Sequence, residues 1–307
     1  MAPAHSAPDR RALGVLVALT LVWGLNWPVM KLAVSGMPLH PDPFPPLAFR
    51  ALSMALGVPL LGLALGALGV PLKIARAHWG EVLRLALTNL IIWNMIIIVA
   101  LQHLSSGRAS ILGYSMPIFA ALWGRFVFGD RLGARQLFGV VAAGAGIALL
   151  LANEFGRLTG APGAALAMIV AACIWGYGTH RLRRTAIPVP LLTLVFWMSA
   201  LTLLVVGTAS VLFERPLWRW PSPATTWALG YNAVGVFVFA NAAWFYLARR
   251  LTPVASSVSV MMIPVLGTFS GALWLGETLH WQDFAAMALM VLAIASVLLV
   301  PRAPQSE

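Results

Sequence analysis

Apolar residues run along this chain in stretches of about twenty, separated by short clusters of glycine, proline and charge. Ten such stretches are present, at 12–35, 46–67, 82–101, 107–128, 134–152, 162–182, 190–212, 225–248, 254–275 and 282–300. At ~1.5 Å of rise per residue each can cross a hydrocarbon layer of ~30 Å, where the backbone must satisfy its own hydrogen bonds. The pattern therefore predicts ten transmembrane helices. The interruptions carry turn chemistry, as in Gly36-Met37-Pro38, Gly69-Val70-Pro71 and Pro188-Val189-Pro190, and none has room for a soluble domain. The run from Ala12 is too long for the apolar core of a cleavable leader, so it is expected to remain as the first membrane helix.

The pattern also repeats. Residues 104–132 are echoed at 251–279, an offset of 251 − 104 = 147 positions. Pro117 matches Pro264, Gly124 matches Gly271, and Gly129-Asp130 matches Gly276-Glu277; Asn94 and Asn241 keep the same register. Each half opens alike, with Val22-Trp23-Gly24 and Ile174-Trp175-Gly176. Such an ungapped echo implies duplication into halves at 12–152 and 162–300. Five crossings per half is an odd number, so the second half enters the membrane upside down. The expected fold is an all-α integral membrane protein with ten transmembrane helices in two inverted five-helix repeats, a build that places a small-molecule substrate near the midplane.

Composition excludes a water-soluble alternative: 60% of residues are hydrophobic and 9% charged, too few polar side chains to cover a surface in water. The lone cysteine, Cys173, lies inside an apolar run, so no disulfide within the chain can form, and no cofactor or metal motif is apparent. Of the 20 lysines and arginines, six (Lys31, Arg50, Arg108, Arg157, Arg215 and Arg219) fall on one side of a ten-span topology and the remaining 20 − 6 = 14 on the other. The positive-inside rule then puts both termini in the cytoplasm. The +11 net charge follows from topology and anionic lipid, without nucleic acid.

Candidate chemistry is sparse. All nine acids lie in tails, loops or span ends, and no charge is expected deep in a span, which argues against a proton-coupled exchanger. Among the deep polar and aromatic residues, Asn89, Trp93, Asn94 and Asn241 are candidate substrate contacts. Buried amides must be satisfied, so these asparagines either join helices or face a polar cavity. Trp218, Trp220, Trp274 and Trp281 lie at span ends, where tryptophan forms an interfacial belt. Pro117 and Pro264 each remove a helical hydrogen bond in related spans, predicting paired kinks. Gly139, Ala142, Gly144, Gly146 and Ala148 give the fifth span a small-residue face, for packing within a monomer or in a weak homodimer.

Trp23-Gly24 with Lys31, Pro45-Pro46 with Arg50, Trp175-Gly176, and Leu251-Thr252-Pro253 through Ser256-Ser257, Pro264 and Gly276-Glu277 together resemble the EamA-type members of the drug/metabolite transporter superfamily. The resemblance covers nearly the whole chain. Within the superfamily it is nearest to bacterial amino-acid exporters of the YddG type. It implies a cavity lined by spans one, four and six, which makes Trp23, Asn26, Tyr114, Trp175 and Tyr177 further candidate contacts, and export of neutral or aromatic amino acids by alternating access across a bacterial inner membrane. The chain departs in using Asp130 where many members have glutamate, and in lacking an arginine in span seven to match Arg50. Competing readings are another small cargo, such as a nucleotide sugar or cationic drug, and a membrane enzyme, for which no nucleophile, base or metal cluster has convincing spacing.

Overall fold

The computed structural model describes residues 10–35, 43–130, 133–156, 160–248 and 253–298. Arg157 and Leu251-Thr252 lie outside the described residues. Ten spans are seen. They are α1 (Arg10–Val34), α2 (Pro46–Ala67), α3 (Arg76–Ala100), α4 in two pieces (Ser106–Gly113 and Met116–Phe126) and α5 (Ala134–Gly156). The rest are α6 (Pro162–Arg184), α7 (Leu191–Phe213), α8 (Pro223–Gly230, Tyr231–Ala240 and Asn241–Ala248), α9 (Pro253–Leu275) and α10 (Trp281–Leu298). Prolines Pro46, Pro162 and Pro223 stand in first turns, where a missing N–H costs nothing. Ser105 and Ser222 cap α4 and α8 by accepting the N–H groups of Arg108 (3.3 Å) and Thr225 (3.2 Å).

Two features depart from plain spans. The expected kink in the fourth span is a break at Tyr114-Ser115, with Ser115 Oγ donating to Leu112 O (2.6 Å) and Pro117 opening the second piece. Pro264, its counterpart, stays inside an unbroken α9, where Thr268 Oγ1 donates to the proline carbonyl (2.8 Å). Also, α3 and α8 each contain π-helix, at Leu87–Ile91 and Tyr231–Ala240. Shifted by 147, positions 87–91 become 234–238, inside the second segment, so the irregularity was duplicated with the sequence.

Helix pairing has the symmetry that duplication predicts. The largest pairing is α5 with α10, and α2 lies on α7. The α1–α9 contact is matched by α6–α4, α2–α8 by α7–α3, and α1–α8 by α6–α3. Exchanging the halves maps this set onto itself. The Trp-Gly pairs mark where helices come closest. A Cβ on Gly24 would fall 2.6 Å from Leu266 Cβ, and one on Gly176 2.7 Å from Ala120 N. Because 119 + 147 = 266, these are the same contact in the two halves. The small face of α5 serves the monomer: Gly146 packs against Ala286 and Leu289 of α10.

The two ends of the bundle differ. At one, the capped end, ionised side chains take up helix termini, mostly across the halves. Glu214 accepts the N–H groups of Leu47 (2.9 Å) and Ala48 (2.7 Å), and Glu277 accepts Ser106 N–H (2.8 Å) and Oγ–H (2.9 Å). Lys31 donates to the carbonyls of Leu101 (3.0 Å) and Leu104 (2.7 Å) at the end of α3. Negative charge at helix N-termini and positive charge at a C-terminus match the helix dipoles. Buried Arg108 bonds Glu154 through Nη1 and Asp283 through Nε (2.7 Å), while Glu154 also accepts Ala161 N–H (2.7 Å). Trp218, Trp220, Trp274 and Trp281 are all exposed around this end, as an interfacial belt requires. At the opposite end the ion pairs Arg181–Glu81 (2.5 Å) and Arg184–Asp130 (3.2 Å) keep contact with solvent, where such pairs contribute little. Gly129 (φ 76°) and Gly276 (φ 65°) turn the chain after α4 and α9 in a left-handed conformation that glycine adopts without strain.

Candidate substrate site

On α1 the residues at spacing i, i+3, i+4 and i+7 are Trp23, Asn26, Trp27 and Met30, one continuous stripe. Trp27 meets Trp93 of α3 (ring centroids 6.5 Å apart, edge-on) and Tyr114 at the break in α4 (6.3 Å). Trp93 in turn meets Trp175 of α6 (5.2 Å). Four helices thus contribute one aromatic cluster, and its edge-to-face contacts hold each ring in register. Gly113 makes room for it, since a Cβ there would fall 3.0 Å from both Trp27 and Trp93. Trp27 is absent from the sequence-based set; its signal is its place one turn beyond Trp23 and beside Asn26.

The predicted residues do not all join this cluster. Trp93, Tyr114 and Trp175 do. Trp23 packs both against the core that holds Trp27, Trp93 and Tyr114 and along the seam between α1 and α8. Tyr177 lies toward the solvent-exposed end, against Trp123 (5.4 Å) and Phe128 (5.9 Å). Asn94 and Asn241 have a shared backbone duty. Each donates its amide N–H to a carbonyl four residues back, Asn94 to Leu90 O (2.8 Å) and Asn241 to Phe237 O (2.8 Å). Since 90 + 147 = 237, this bond too is duplicated, and it satisfies carbonyls where π-helix disturbs the i→i−4 ladder. Asn89 likewise donates to Leu85 O (2.9 Å) and packs on Gly178.

The second component is polar and was misplaced by sequence. Arg50, expected at a span end, is 2% exposed within the bundle and donates to Asn232 Oδ1 of α8 (3.3 Å) and to Met30 Sδ (2.6 Å). Charge is therefore present in the interior. The first turns of α2 set its backbone near the capped end, but the long side chain reaches inward to Met30 and Asn232. Asn26, 9% exposed, donates to the same sulfur (3.5 Å).

Two like halves of membrane-spanning helices, symmetric in their pairing and enclosing aromatic and polar side chains, define a membrane transporter. The chain belongs to the EamA-like transporter family, which matches residues 11–152 and 162–299. It is 28% identical to the uncharacterized inner membrane transporter YedA of Escherichia coli (strain K12), over 93% of this chain and 90% of that one. It is 25% identical to a probable terminal-alkyne amino-acid exporter of Streptantibioticus cattleyicolor, over 95% and 94%. A solved crystal structure shares the fold with a TM-score of 0.64, at 24% identity over 98% of this chain and 99% of the other.

Proposed function

We propose that the chain exports neutral amino acids, aromatic ones favoured, by alternating access and without proton coupling. The observation that carries this reading is the cluster of Trp27, Trp93, Tyr114 and Trp175, supplied by four helices of a two-halved transporter. Such rings accept an apolar side chain or attract an ammonium group. The similarity to a relative named as an amino-acid exporter points the same way. Lack of coupling is supported by the acids. Each of the six described carboxylates, on Glu81, Asp130, Glu154, Glu214, Glu277 and Asp283, is engaged by basic side chains or helix N–H groups near a span end. None stands free in the interior for proton and substrate to contest.

In liposomes containing only this protein, a labelled neutral amino acid should equilibrate at equal pH, and an imposed pH gradient should cause no accumulation. Trp175→Ala should slow initial rates several-fold, the effect of about 1 kcal/mol, while Trp274→Ala, at the surface, should not. Gradient-driven uphill uptake would refute uniport; transport of no amino acid in the panel would refute the cargo.

In this reading the capped end faces outward and both termini face the cytoplasm, an orientation supported by the distribution of basic residues. With Cys173 replaced, an impermeant thiol reagent applied to intact cells should label a cysteine at Ser222 and spare one at Arg76. The reverse pattern would invert the topology.

A further inference from the structure

Arg50 is enclosed by protein, yet among the described residues no carboxylate meets its guanidinium. Nη1 reaches an amide oxygen, Nη2 reaches only the thioether of Met30, and Nε donates to nothing. One turn before Met30 on α1, Asn26 donates to the same sulfur, while its Oδ1 accepts nothing and is sealed from solvent. A desolvated cation without an anion is costly, and a thioether is a poor acceptor for it. The Nη1 bond to Asn232 helps to join α2 to α8. The edge left over, Nε with Nη2, is the one that takes a carboxylate side-on with two parallel bonds.

We propose that Arg50 and Asn26 hold the charged end of a zwitterionic substrate, a deepening that rests on the amino-acid reading above. The substrate carboxylate pairs with Nε and Nη2 of Arg50, and its ammonium donates to Asn26 Oδ1. Met30, whose unbranched side chain changes rotamer readily, fills this place in the structure and swings aside on binding. The substrate side chain then extends toward Trp27, next to Asn26 on the same stripe. A phosphate group fits less well. It carries more charge than one arginine offsets, and Asn26 Oδ1 offers it an acceptor where it needs a donor.

The test is competition in proteoliposomes, using whichever amino acid the protein carries, its carboxamide and its desamino acid as inhibitors. For the parent protein, the carboxamide should inhibit roughly 10- to 100-fold more weakly than the amino acid, the loss expected for a charge-assisted pair. Arg50→Gln should bind both alike to within a few-fold, while Arg50→Lys, which keeps the charge but not the side-on pair of donors, should retain part of the preference. Asn26→Leu should narrow the gap between the amino acid and its desamino analogue. If the parent protein accepts acid and carboxamide equally, or membrane-inserted Arg50→Gln still prefers the acid, the proposal is overturned while amino-acid transport stands. The comparison on the parent protein decides the matter even if the variants fail to insert. Failure to carry any amino acid, or stronger inhibition by a sugar phosphate, would overturn the cargo reading and this proposal together.

Discussion

Replacing Arg108 by methionine is expected to destabilise the folded protein by about 3–5 kcal/mol, because it strands two buried carboxylates that share one guanidinium. Glu154 and Asp283 are each less than a tenth exposed, and Arg108 is their common cation, tying α4 to both α5 and α10. Each carboxylate also holds a helix start: Glu154 accepts Ala161 N–H ahead of α6, and Asp283 accepts His280 N–H at the start of α10 (2.8 Å). Neither can simply move to water without giving up a cap. Thermal unfolding in detergent should show the midpoint falling by roughly 10 °C, taking a few degrees per kcal/mol. Removing all three charges together, with Arg108→Met, Glu154→Gln and Asp283→Asn, should recover most of the loss, since no charge is then left unpaired. A single variant that melts like the parent would show that the carboxylates do not depend on Arg108.

Gly176→Val should be among the most damaging changes at the described glycines. Its Cβ would lie 2.7 Å from Ala120 N and 2.9 Å from Phe119 C, so the obstruction is backbone and the whole of α4 must yield. Overpacking that a side chain could absorb costs about 1–3 kcal/mol; here the cost is at the top of that range or beyond it. The expected result is a sharp fall in inserted, monodisperse protein. Gly24→Val, at the related contact, meets Leu266 Cβ at 2.6 Å, an atom fixed to the α9 backbone, and should be comparably damaging. Gly144→Ala meets nothing within 4 Å and serves as the control. Equal yields of Gly176→Val and Gly144→Ala would refute the close approach of α4 and α6.

The spans and their duplication were legible in sequence because lipid leaves few alternatives. A segment either carries its apolar run across the bilayer or does not, and a copied segment keeps its register. The break at Tyr114-Ser115 was not legible beyond a proline, because the same proline is accommodated without a break at Pro264. The π segments were invisible for a related reason: hydropathy reads side chains, and a π turn is a matter of which carbonyl lacks an N–H. Asn94 and Asn241 were visible as a pair, but only the backbone revealed that their amide N–H groups are already committed. Arg50 misled most. Four residues into α2, a side chain of that length can reach either the interface or the interior, and nothing in its neighbours along the chain decides which.

Pro117 and Pro264 are related by the symmetry of the halves, yet one opens a fresh helix while the other rides inside an intact one. A single molecule therefore displays both shapes of one duplicated segment. In the proposed cycle, exchanging those shapes between α4 and α9 would give the mirror-image arrangement, closed at the other end by equivalent contacts. Contacts that the halves share cancel in that exchange, and the preference for one arrangement rests on what duplication did not preserve. Arg108, Glu154 and Asp283 stand opposite Ala255, Pro301 and Gln136 at the 147-residue offset, and α7 carries no arginine to match Arg50. In that proposed cycle the resting state is set by a handful of unmatched charges laid over an otherwise balanced pair.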